Sequence, residues 1–269
     1  MKMNSKSDLE RFQSGAEKYA AYLQTPEGRL RLDLAFANLQ EFLPLPQVHD
    51  SLCALDLGCG TGATGVRLAR LGFHVTLLDC SRAMLDIAMR TAQEAGVTDK
   101  IALKQGDAAQ LANLLDGRSF HVVLCHNILE YVDDPSAVLR GAARALRDSE
   151  AILSLVVRNQ AGELLKAAIQ AGDLAAAEDG LTAEWGQESL YGGKVRLFRP
   201  DSLQVLLKAV SLAVTEQRGV RVIMDYLPLQ VPRIAEYKRI FALERKLGSR
   251  PEFAAVARYT HWLARCDAG

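Results

Sequence analysis

The sequence predicts an α/β fold in which helices surround a doubly wound, mostly parallel sheet of seven strands. Three observations predict it. Apolar runs alternate with segments of helical periodicity between residues 51 and 157. A glycine-rich turn directly follows the first apolar run, and two further apolar runs after residue 198 predict a hairpin-like pair added to the sheet. With 269 residues, the chain is long enough for one large domain that carries an insertion.

The first segment is a helical cap. Apolar residues recur at helical spacing over residues 7–43, until Pro44 and Pro46 break the pattern, so we expect an N-terminal cap over residues 1–46. The half of the sheet that carries the glycine-rich turn then occupies residues 51–158. Short apolar runs give the strands of the sheet, and they are expected at residues 51–57, 75–78, 101–104, 120–125, 151–157, 213–223 and 253–264.

Recognisable end signals support the helices between these strands. Ser81 is a plausible N-cap, Gly96 a C-terminal stop, and Asp134 with Pro135 opens another helix. The helices are expected at residues 63–71, 81–95, 134–146, 201–209 and 233–247.

Residues 159–198 interrupt this alternation. An Ala-rich helical stretch is followed there by a loop that contains Gly, Tyr and Trp, and neither fits inside a sheet. We interpret the segment as a helical and loop insertion that acts as a lid, followed by the C-terminal half of the sheet over residues 199–269.

Composition places the chain among ordinary globular proteins, with 49% hydrophobic and 24% charged residues. The N-terminus lacks the apolar stretch of a signal peptide, and no stretch is apolar enough to span a bilayer, so a cytoplasmic location without membrane association is expected. The five cysteines are scattered without metal-ligand spacing, so we expect neither disulfides nor a bound metal: Cys53, Cys59, Cys80, Cys125 and Cys266.

Charge is distributed unevenly although the formal net charge is zero. From Lys194 onward there are 14 Lys and Arg against 7 Asp and Glu, a net charge of about +7. Such an excess is typical either of a surface for an anionic partner or of a solvated face.

Residues 56–62, Asp-Leu-Gly-Cys-Gly-Thr-Gly, follow the first strand and precede a helix, where backbone N–H groups favour a ligand anion. The pattern Gly60-x-Gly62-x-x-Gly65 also matches a dinucleotide site, and Asp79 lies 19 residues after Gly60, near the spacing for a nicotinamide ribose. Asp56 favours another cofactor, because a carboxylate repels a pyrophosphate but attracts the ammonium of an amino acid. An NAD-dependent oxidoreductase remains the alternative.

With Asp79 and Asp107 at the ends of the next two strands, this arrangement resembles the class I S-adenosylmethionine (SAM) dependent methyltransferases, which have a Rossmann-like fold. The resemblance implies that SAM is the cofactor and S-adenosylhomocysteine (SAH) the product. It also implies roles for particular residues. Gly58, Cys59 and Gly60 would line the methionine end, Asp79 would bind the ribose hydroxyls, Cys80 and Met84 would flank the adenine, Asp107 and the Ala108 N–H would contact the adenine edge, and His126 would contact the cofactor.

Over nearly its full length the chain also resembles the bacterial tRNA 5-carboxymethoxyuridine methyltransferases. The residues that carry this resemblance are 28–31 (Gly-Arg-Leu-Arg), His126 with 129–131 (Leu-Glu-Tyr), 219–222 (Gly-Val-Arg-Val), 225–227 (Asp-Tyr-Leu) and 257–261 (Ala-Arg-Tyr-Thr-His). The resemblance implies that Arg31 binds the SAM carboxylate and that Arg221 and Tyr226 lie towards the substrate. Residues 159–197 depart from that family, which puts the acceptor in doubt.

Methylation of a carboxyl group needs no general base, because a carboxylate is already ionised at neutral pH, so we assign no catalytic residue. Arg196, Arg199 and Arg221 are candidates to bind the acceptor carboxylate and tRNA phosphates. Two alternatives remain besides the oxidoreductase. One is a small-molecule methyltransferase whose lid includes Trp185, Tyr191 and Phe198, and the other is a SAM-binding module without enzymatic activity.

Overall fold

The computed structural model describes residues 5–44, 51–115, 117–188 and 190–267. The predicted N-terminal helical cap consists of two helices, α1 (Ser5–Gln24) and α2 (Pro26–Gln40). Thr25 divides them, because its Oγ1 accepts a hydrogen bond of 3.1 Å from the N–H of Gly28 and Pro26 cannot continue a helix from α1. Pro46, which was expected to end the cap, lies outside the described residues.

Strands of the described chain form one seven-stranded sheet and one two-stranded hairpin. In chain order they are β1 (Cys53–Leu57), β2 (His74–Asp79), β3 (Ile101–Gln105), β4 (Val122–His126), β5 (Ile152–Arg158), β6 (Trp185–Gln187), β7 (Lys194–Arg196), β8 (Leu212–Val220) and β9 (Tyr259–Cys266).

The order of strands in the large sheet is β3-β2-β1-β4-β5-β9-β8. The first five strands pair in parallel, and β9 pairs antiparallel with both β5 and β8. This confirms the doubly wound fold. The strand order reverses between β1 and β4, which is where open α/β sheets hold their ligands.

Nine further α-helices connect the strands of the described chain. They are α3 (Ala63–Arg70), α4 (Arg82–Glu94), α5 (Leu111–Leu114), α6 (Pro135–Ala145), α7 (Gln160–Leu165), α8 (Leu174–Asp179), α9 (Pro200–Ala209), α10 (Tyr237–Gly248) and α11 (Pro251–Ala254). The predicted caps are present, since Ser81 accepts a hydrogen bond from the Met84 N–H and Asp134 accepts one from the Ala137 N–H. Apolar side chains cover both faces of the sheet, which explains why all seven residues of β5 are buried.

Three predicted boundaries in the C-terminal half were wrong. The strand expected to reach residue 223 ends at Val220, because Arg221 has a left-handed backbone with φ of 62°. The strand expected from residue 253 begins at Tyr259, since Pro251 starts a short helix instead. The helix expected from residue 233 begins at Tyr237, after a turn.

Residues 159–198 contain more regular structure than was predicted. A π-helical turn over residues 166–170 joins α7 to the loop before α8, and β6 and β7 form an antiparallel hairpin. Tyr191, between those two strands, packs against Gly15 of α1 so closely that a Cβ there would lie 2.6 Å from the ring. The function of this segment as a lid stays a prediction. Within the described residues, no helix has the length and apolar composition that crossing a bilayer requires.

Candidate active site

The glycine loop after β1 has a backbone that few other residues could adopt. Gly58, Gly60 and Gly62 have φ angles of 62°, 52° and 71°. A Cβ on Gly58 would lie 2.6 Å from the side chain of Ile128, and one on Gly60 would lie 3.2 Å from the ring of Tyr19. At these glycines the loop backbone therefore lies open and close to both neighbours, which is the cradle that a bound cofactor needs.

Asp56 lies in β1, immediately before this loop, and is buried. Its carboxylate accepts a hydrogen bond of 3.2 Å from the N–H of Gly65 in the first turn of α3, where Gly62 has no side chain to cap the helix. Burial, with a smaller contribution from the charge of Asp79, raises the pKa of Asp56 to about 7 against the effect of that hydrogen bond. Asp56 thus stabilises the loop and also lines the pocket described below.

Asp79, the last residue of β2, connects the glycine loop to the neighbouring strand. It accepts hydrogen bonds from the N–H groups of Gly60, at 2.9 Å, and Ser81, at 2.8 Å. Asp107 follows β3, is exposed, and accepts a hydrogen bond from the Ala109 N–H at 2.9 Å. Because β1, β2 and β3 are neighbours, these three carboxylates form an acidic row (Asp56, Asp79 and Asp107) along the carboxyl edge of the sheet.

A pocket opens between this edge and the N-terminal helices. The residues that line it are Tyr19, Leu23, Arg31, Leu32, Ala35, Asp56, Gly58, Cys59, Thr61, Ala63, Thr64, His126, Asn127 and Val156. It therefore brings together five of the predicted cofactor residues: Arg31, Asp56, Gly58, Cys59 and His126. The other six do not line it: Gly60, Asp79, Cys80, Met84, Asp107 and Ala108.

Helix α1 separates part of the acidic row from the pocket. Gln13 on α1 accepts hydrogen bonds from the Ser81 hydroxyl at 3.0 Å and from the Ala83 N–H at 3.3 Å. Met84, predicted to flank the adenine, is buried in an apolar cluster with Ala16 of α1 and Ile87. The predicted adenine side of the site thus lies under α1 in this structure.

Arg31 on α2 is a buried cation inside the pocket. Its Nη2 donates a hydrogen bond of 2.9 Å to the Tyr19 hydroxyl, and its guanidinium lies 5.4 Å from the ring centroid of Tyr22 and 5.5 Å from that of Tyr259. Among the residues that the structure describes, none gives it a carboxylate partner. A buried cation without an anion favours an anionic ligand, so Arg31 and the glycine loop together fit the amino-acid end of SAM.

His126 ends β4 on the other side of the pocket. Its Nε2 lies 2.8 Å from the hydroxyl of Ser154 in β5. Burial, with a smaller effect from the charge of Arg31, lowers the pKa of His126 to about 3, so the ring is neutral. The next residue, Asn127, has a left-handed backbone with φ of 54° and donates a hydrogen bond to Glu130.

Beyond His126, the carboxyl edge is rich in arginine. Arg158 ends β5 and pairs with Glu163 at 3.0 Å and Glu188 at 2.5 Å, while Arg258, next to β9, also pairs with Glu163. Arg221, after β8, pairs with Asp225 through two nitrogens and donates a hydrogen bond of 2.8 Å to the Tyr22 hydroxyl. With Arg31, these buried side chains form an arginine cluster (Arg31, Arg158, Arg221 and Arg258).

Tyr259 lies at the centre of the arginine cluster. The guanidinium carbons of Arg31, Arg221 and Arg258 lie within 5.5, 5.7 and 5.8 Å of its ring centroid. Burial opposes ionisation of its hydroxyl, but the positive charges, with Arg158 the strongest, outweigh it and lower the pKa of Tyr259 to about 8. This end of the sheet therefore favours negative charge.

Sequence reasoning assigned no role to Arg158, Arg258 or Tyr259. Arg158 was recognisable, because it ends an apolar strand at the same edge as Asp79 and His126. Tyr259 was not, since its position depends on the pairing of β9 with β5, which are about a hundred residues apart.

The predicted substrate residues are dispersed. Arg221 belongs to the arginine cluster, and Tyr226 donates a hydrogen bond of 3.3 Å to the carbonyl of Gly162. Arg196 lies with its guanidinium 4.6 Å from the ring of Trp185, and Arg199 is exposed before α9. Neither Arg196 nor Arg199 lines the pocket.

The part of the chain that contains the glycine loop matches a known protein family. Residues 54–149, from β1 to the loop after α6, match the family described as a methyltransferase domain. The tRNA 5-carboxymethoxyuridine methyltransferase of Escherichia coli K12 is 28% identical over 261 residues, covering 94% of this chain and 95% of the relative.

One further relative and one solved structure are similar to this chain over most of its length. A ubiquinone biosynthesis O-methyltransferase of Hahella chejuensis is 29% identical over 209 residues, covering 78% of this chain and 76% of the relative. The structure of a SAM-dependent methyltransferase of Thermotoga maritima matches with a TM-score of 0.62 and 14% identity, covering 95% of this chain and 98% of the other. That structure shows the fold alone. The matches decide in favour of SAM between the two cofactors that the glycine pattern left open.

Proposed function

Because this chain is a SAM-dependent methyltransferase of class I, we propose that it methylates an anionic acceptor, the carboxyl group of a modified wobble uridine in tRNA. One observation carries the proposal. The carboxyl edge of the sheet changes from the acidic row at β1, β2 and β3 to the arginine cluster at β5, β9 and β8. The acidic row matches a cationic cofactor, and the arginine cluster matches an acceptor with a carboxylate.

When bound, SAM supplies an electrophilic methyl group on a positively charged sulfur. In this proposal the glycine loop and Arg31 hold its amino-acid end, Asp79 binds the ribose hydroxyls, and Asp107 with the Ala108 N–H contacts the adenine edge. Cys80 and Met84 flank the adenine, which requires α1 to move away from Met84, and His126 contacts the cofactor from β4. The remaining work of the chain is to align the acceptor and to exclude water.

No residue needs to remove a proton from the acceptor, because a carboxylate is already ionised at neutral pH. Within the arginine cluster, Arg221 and Arg158 turn towards Tyr22 and Tyr259, and these groups would orient the carboxylate. Arg196, Arg199 and Tyr226, which lie outside the pocket, are proposed to contact the tRNA. The charge of about +7 after Lys194 supports an RNA partner, as does the Escherichia coli relative.

A small organic acceptor is the second candidate, and the enclosure of the site favours it. Tyr191 from the 159–198 segment packs on Phe12 and Tyr19 of α1, with ring centroids 5.2 and 5.8 Å apart. Side chains of this segment and of α1 thus close over the same end of the pocket. Such a closed site suits a compact substrate, and the relative from Hahella chejuensis is named for ubiquinone biosynthesis.

Incubation with isotopically labelled SAM tests both candidates. The purified chain is mixed with tRNA that carries 5-carboxymethoxyuridine or with a metabolite extract, and nucleosides and small molecules are analysed by mass spectrometry. We expect label in the uridine ester and a rate that falls steeply with added salt. Label only in a metabolite, at a salt-independent rate, would overturn the tRNA proposal in favour of the second candidate.

A double variant, Arg196→Ala with Arg199→Ala, sharpens this experiment because both side chains lie outside the cofactor pocket. On the tRNA proposal it weakens tRNA methylation and reduces its dependence on salt, while the affinity for SAH is unchanged. An unchanged rate on tRNA would show that these two arginines do not contact it.

A further inference from the structure

Four polar side chains form a continuous row from the pocket into the core. The Nδ2 of Asn38 on α2 lies 3.4 Å from Nδ1 of His261, and Nε2 of His261 lies 2.8 Å from the Ser154 hydroxyl. The same hydroxyl lies 2.8 Å from Nε2 of His126. Asn38, Ser154 and His261 are buried, and of the four only His126 lines the pocket.

The sheet itself creates this row. His126 on β4, Val156 on β5 and His261 on β9 are register partners, and Ser154 lies two residues before Val156, on the same face of β5. The row therefore belongs to three adjacent strands and a packed helix, which hold its members in fixed positions.

The hydrogen bonds of this row can point in only one direction. An amide nitrogen donates, so Nδ1 of His261 accepts from Asn38 and the proton of the neutral ring lies on Nε2. That N–H donates to the Ser154 oxygen. The Ser154 hydroxyl is buried, and its proton has no acceptor in the row other than Nε2 of His126, so it is donated there. The proton of His126 must then lie on Nδ1.

Both rings are neutral, as this direction requires. Burial, with a smaller effect from Arg31, lowers the pKa of His126 to about 3. Burial also lowers the pKa of His261 well below its usual range, with smaller effects from His126 and Arg218. With Nε2 of His126 bonded to Ser154, Nδ1 is the ring nitrogen left for a ligand in the pocket.

We propose that Asn38, His261 and Ser154 are positioning residues that hold His126 as its Nδ1–H tautomer, so that the ring is a fixed donor which, with Arg31, binds a carboxylate in the pocket. The ligand class rests on the proposed function, in which that carboxylate is the one at the amino-acid end of SAM. The tautomer does not, since it follows from the row alone. The guanidinium of Arg31 supplies positive charge to the carboxylate. The neutral ring of His126 supplies a directional hydrogen bond, because a ring N–H bonds along one line.

Nitrogen NMR of the chain labelled at its five histidines tests the tautomer without any ligand. We expect His126 protonated at Nδ1 and His261 protonated at Nε2, with His126→Gln and His261→Gln identifying the signals. Asn38→Asp replaces the amide donor with a carboxylate acceptor, so both rings should exchange tautomers. Protonation of His126 at Nε2 in the unaltered chain, or tautomers that ignore Asn38→Asp, would overturn the proposal.

Ser154→Ala supplies a second measurement if the buried aspartate prevents folding. It breaks the row, so His126 should lose its single tautomer while His261 keeps its own. The affinity for SAH should fall about tenfold, and the affinity for an SAH analogue without the carboxylate should not change. Ser249→Ala, at an exposed serine, is the control for both.

These outcomes separate two kinds of failure. Equal losses for SAH and the analogue would mean that the row only supports packing, and the proposal of a carboxylate donor would be wrong. Absent methyl transfer to any acceptor, together with the expected tautomers, would count against the proposed function and not against the row.

Discussion

At the β1, β2 and β3 end of the sheet, carboxylates accept hydrogen bonds from backbone N–H groups, whereas at the β5, β9 and β8 end guanidinium groups pair with carboxylates and lie against aromatic rings. Asp79 illustrates the first, with bonds from Gly60 and Ser81, and Arg221 illustrates the second, with its pair to Asp225. The acidic row thus shapes loops, and the arginine cluster balances buried charge.

The difference teaches how each end should respond to mutation. Loss of a buried carboxylate from the acidic row leaves neutral loop N–H groups without an acceptor, which destabilises the fold by about 1–3 kcal/mol and also removes a group proposed to bind the ligand. Loss of a guanidinium from a pair in the arginine cluster leaves a buried carboxylate without a counter-charge, so stability should suffer first. Arg31 is the exception within its cluster, because it has no carboxylate partner among the described residues.

The largest effect is expected for Arg221→Ala. Asp225 stays buried and unpaired, so the free energy of unfolding should fall by about 3–5 kcal/mol, measured by chemical denaturation. The double variant Arg221→Met with Asp225→Leu should recover most of that loss. The control is Arg239→Ala, because the Arg239 side chain is 88% exposed. An equally small loss of stability at both positions would contradict the proposed difference between the two ends of the sheet.

Asp79→Ala should instead act on the cofactor. It removes the acceptor proposed for the ribose hydroxyls and releases the N–H groups of Gly60 and Ser81, so the Kd for SAH should rise about 100-fold in calorimetry. Asp86→Ala removes an exposed carboxylate of α4 and should leave the Kd unchanged. A Kd that moves equally in both variants contradicts the role of Asp79.

Arg31→Met separates charge pairing from ligand binding within the arginine cluster. The free energy of unfolding should change by less than about 1 kcal/mol, because no buried carboxylate loses its partner. The Kd for SAH should rise about 30-fold. Arg29→Met on the same helix, where the side chain is 63% exposed, should change neither quantity. Destabilisation as large as that of Arg221→Ala would show that Arg31 has the same role as its neighbours.

The last prediction concerns Asp56 and the pH dependence of stability. The folded chain holds the proton of this carboxyl more tightly than the unfolded chain, because its pKa is raised from 3.8 to about 7. Its contribution to stability is full below 3.8 and is lost as pH rises to about 7, with a slope of at most about 1.4 kcal/mol per pH unit. Asp56→Asn should remove that part of the slope, measured without ligand. Asp86→Asn should keep it, and identical slopes in all three chains would refute the shift.

Much of the fold and of the acidic row could be predicted because both depend on local pattern. Apolar runs located the five parallel strands. The resemblance to class I methyltransferases identified Asp79 and Asp107 at two strand ends, and the rule that ligands bind at the carboxyl ends of strands selected His126. The division between α1 and α2 was also visible in principle, since Thr25 followed by Pro26 is a typical helix start.

The arginine cluster could not be predicted in the same way. Its members meet only after β9 has paired with β5, and sequence pattern does not specify which distant strands pair. The position of Met84 under α1 has the same origin, because it depends on how two helices pack rather than on either alone. Pattern therefore located residues along the chain, and tertiary packing decided which of them face the pocket.

The position of β9 has a consequence for how the protein is made. β8 is synthesised before β9 but pairs only with β9. One edge of β5 also stays unpaired until β9 is added to the sheet. While residues 259–266 are still inside the ribosome, the nascent chain exposes one apolar strand edge on β5 and an unpaired β8, both of which can pair with other chains. Chaperone binding to the nascent or newly released chain should therefore be strongest after β8 emerges and end when β9 inserts, at the moment when Tyr259 and His261 also reach the site.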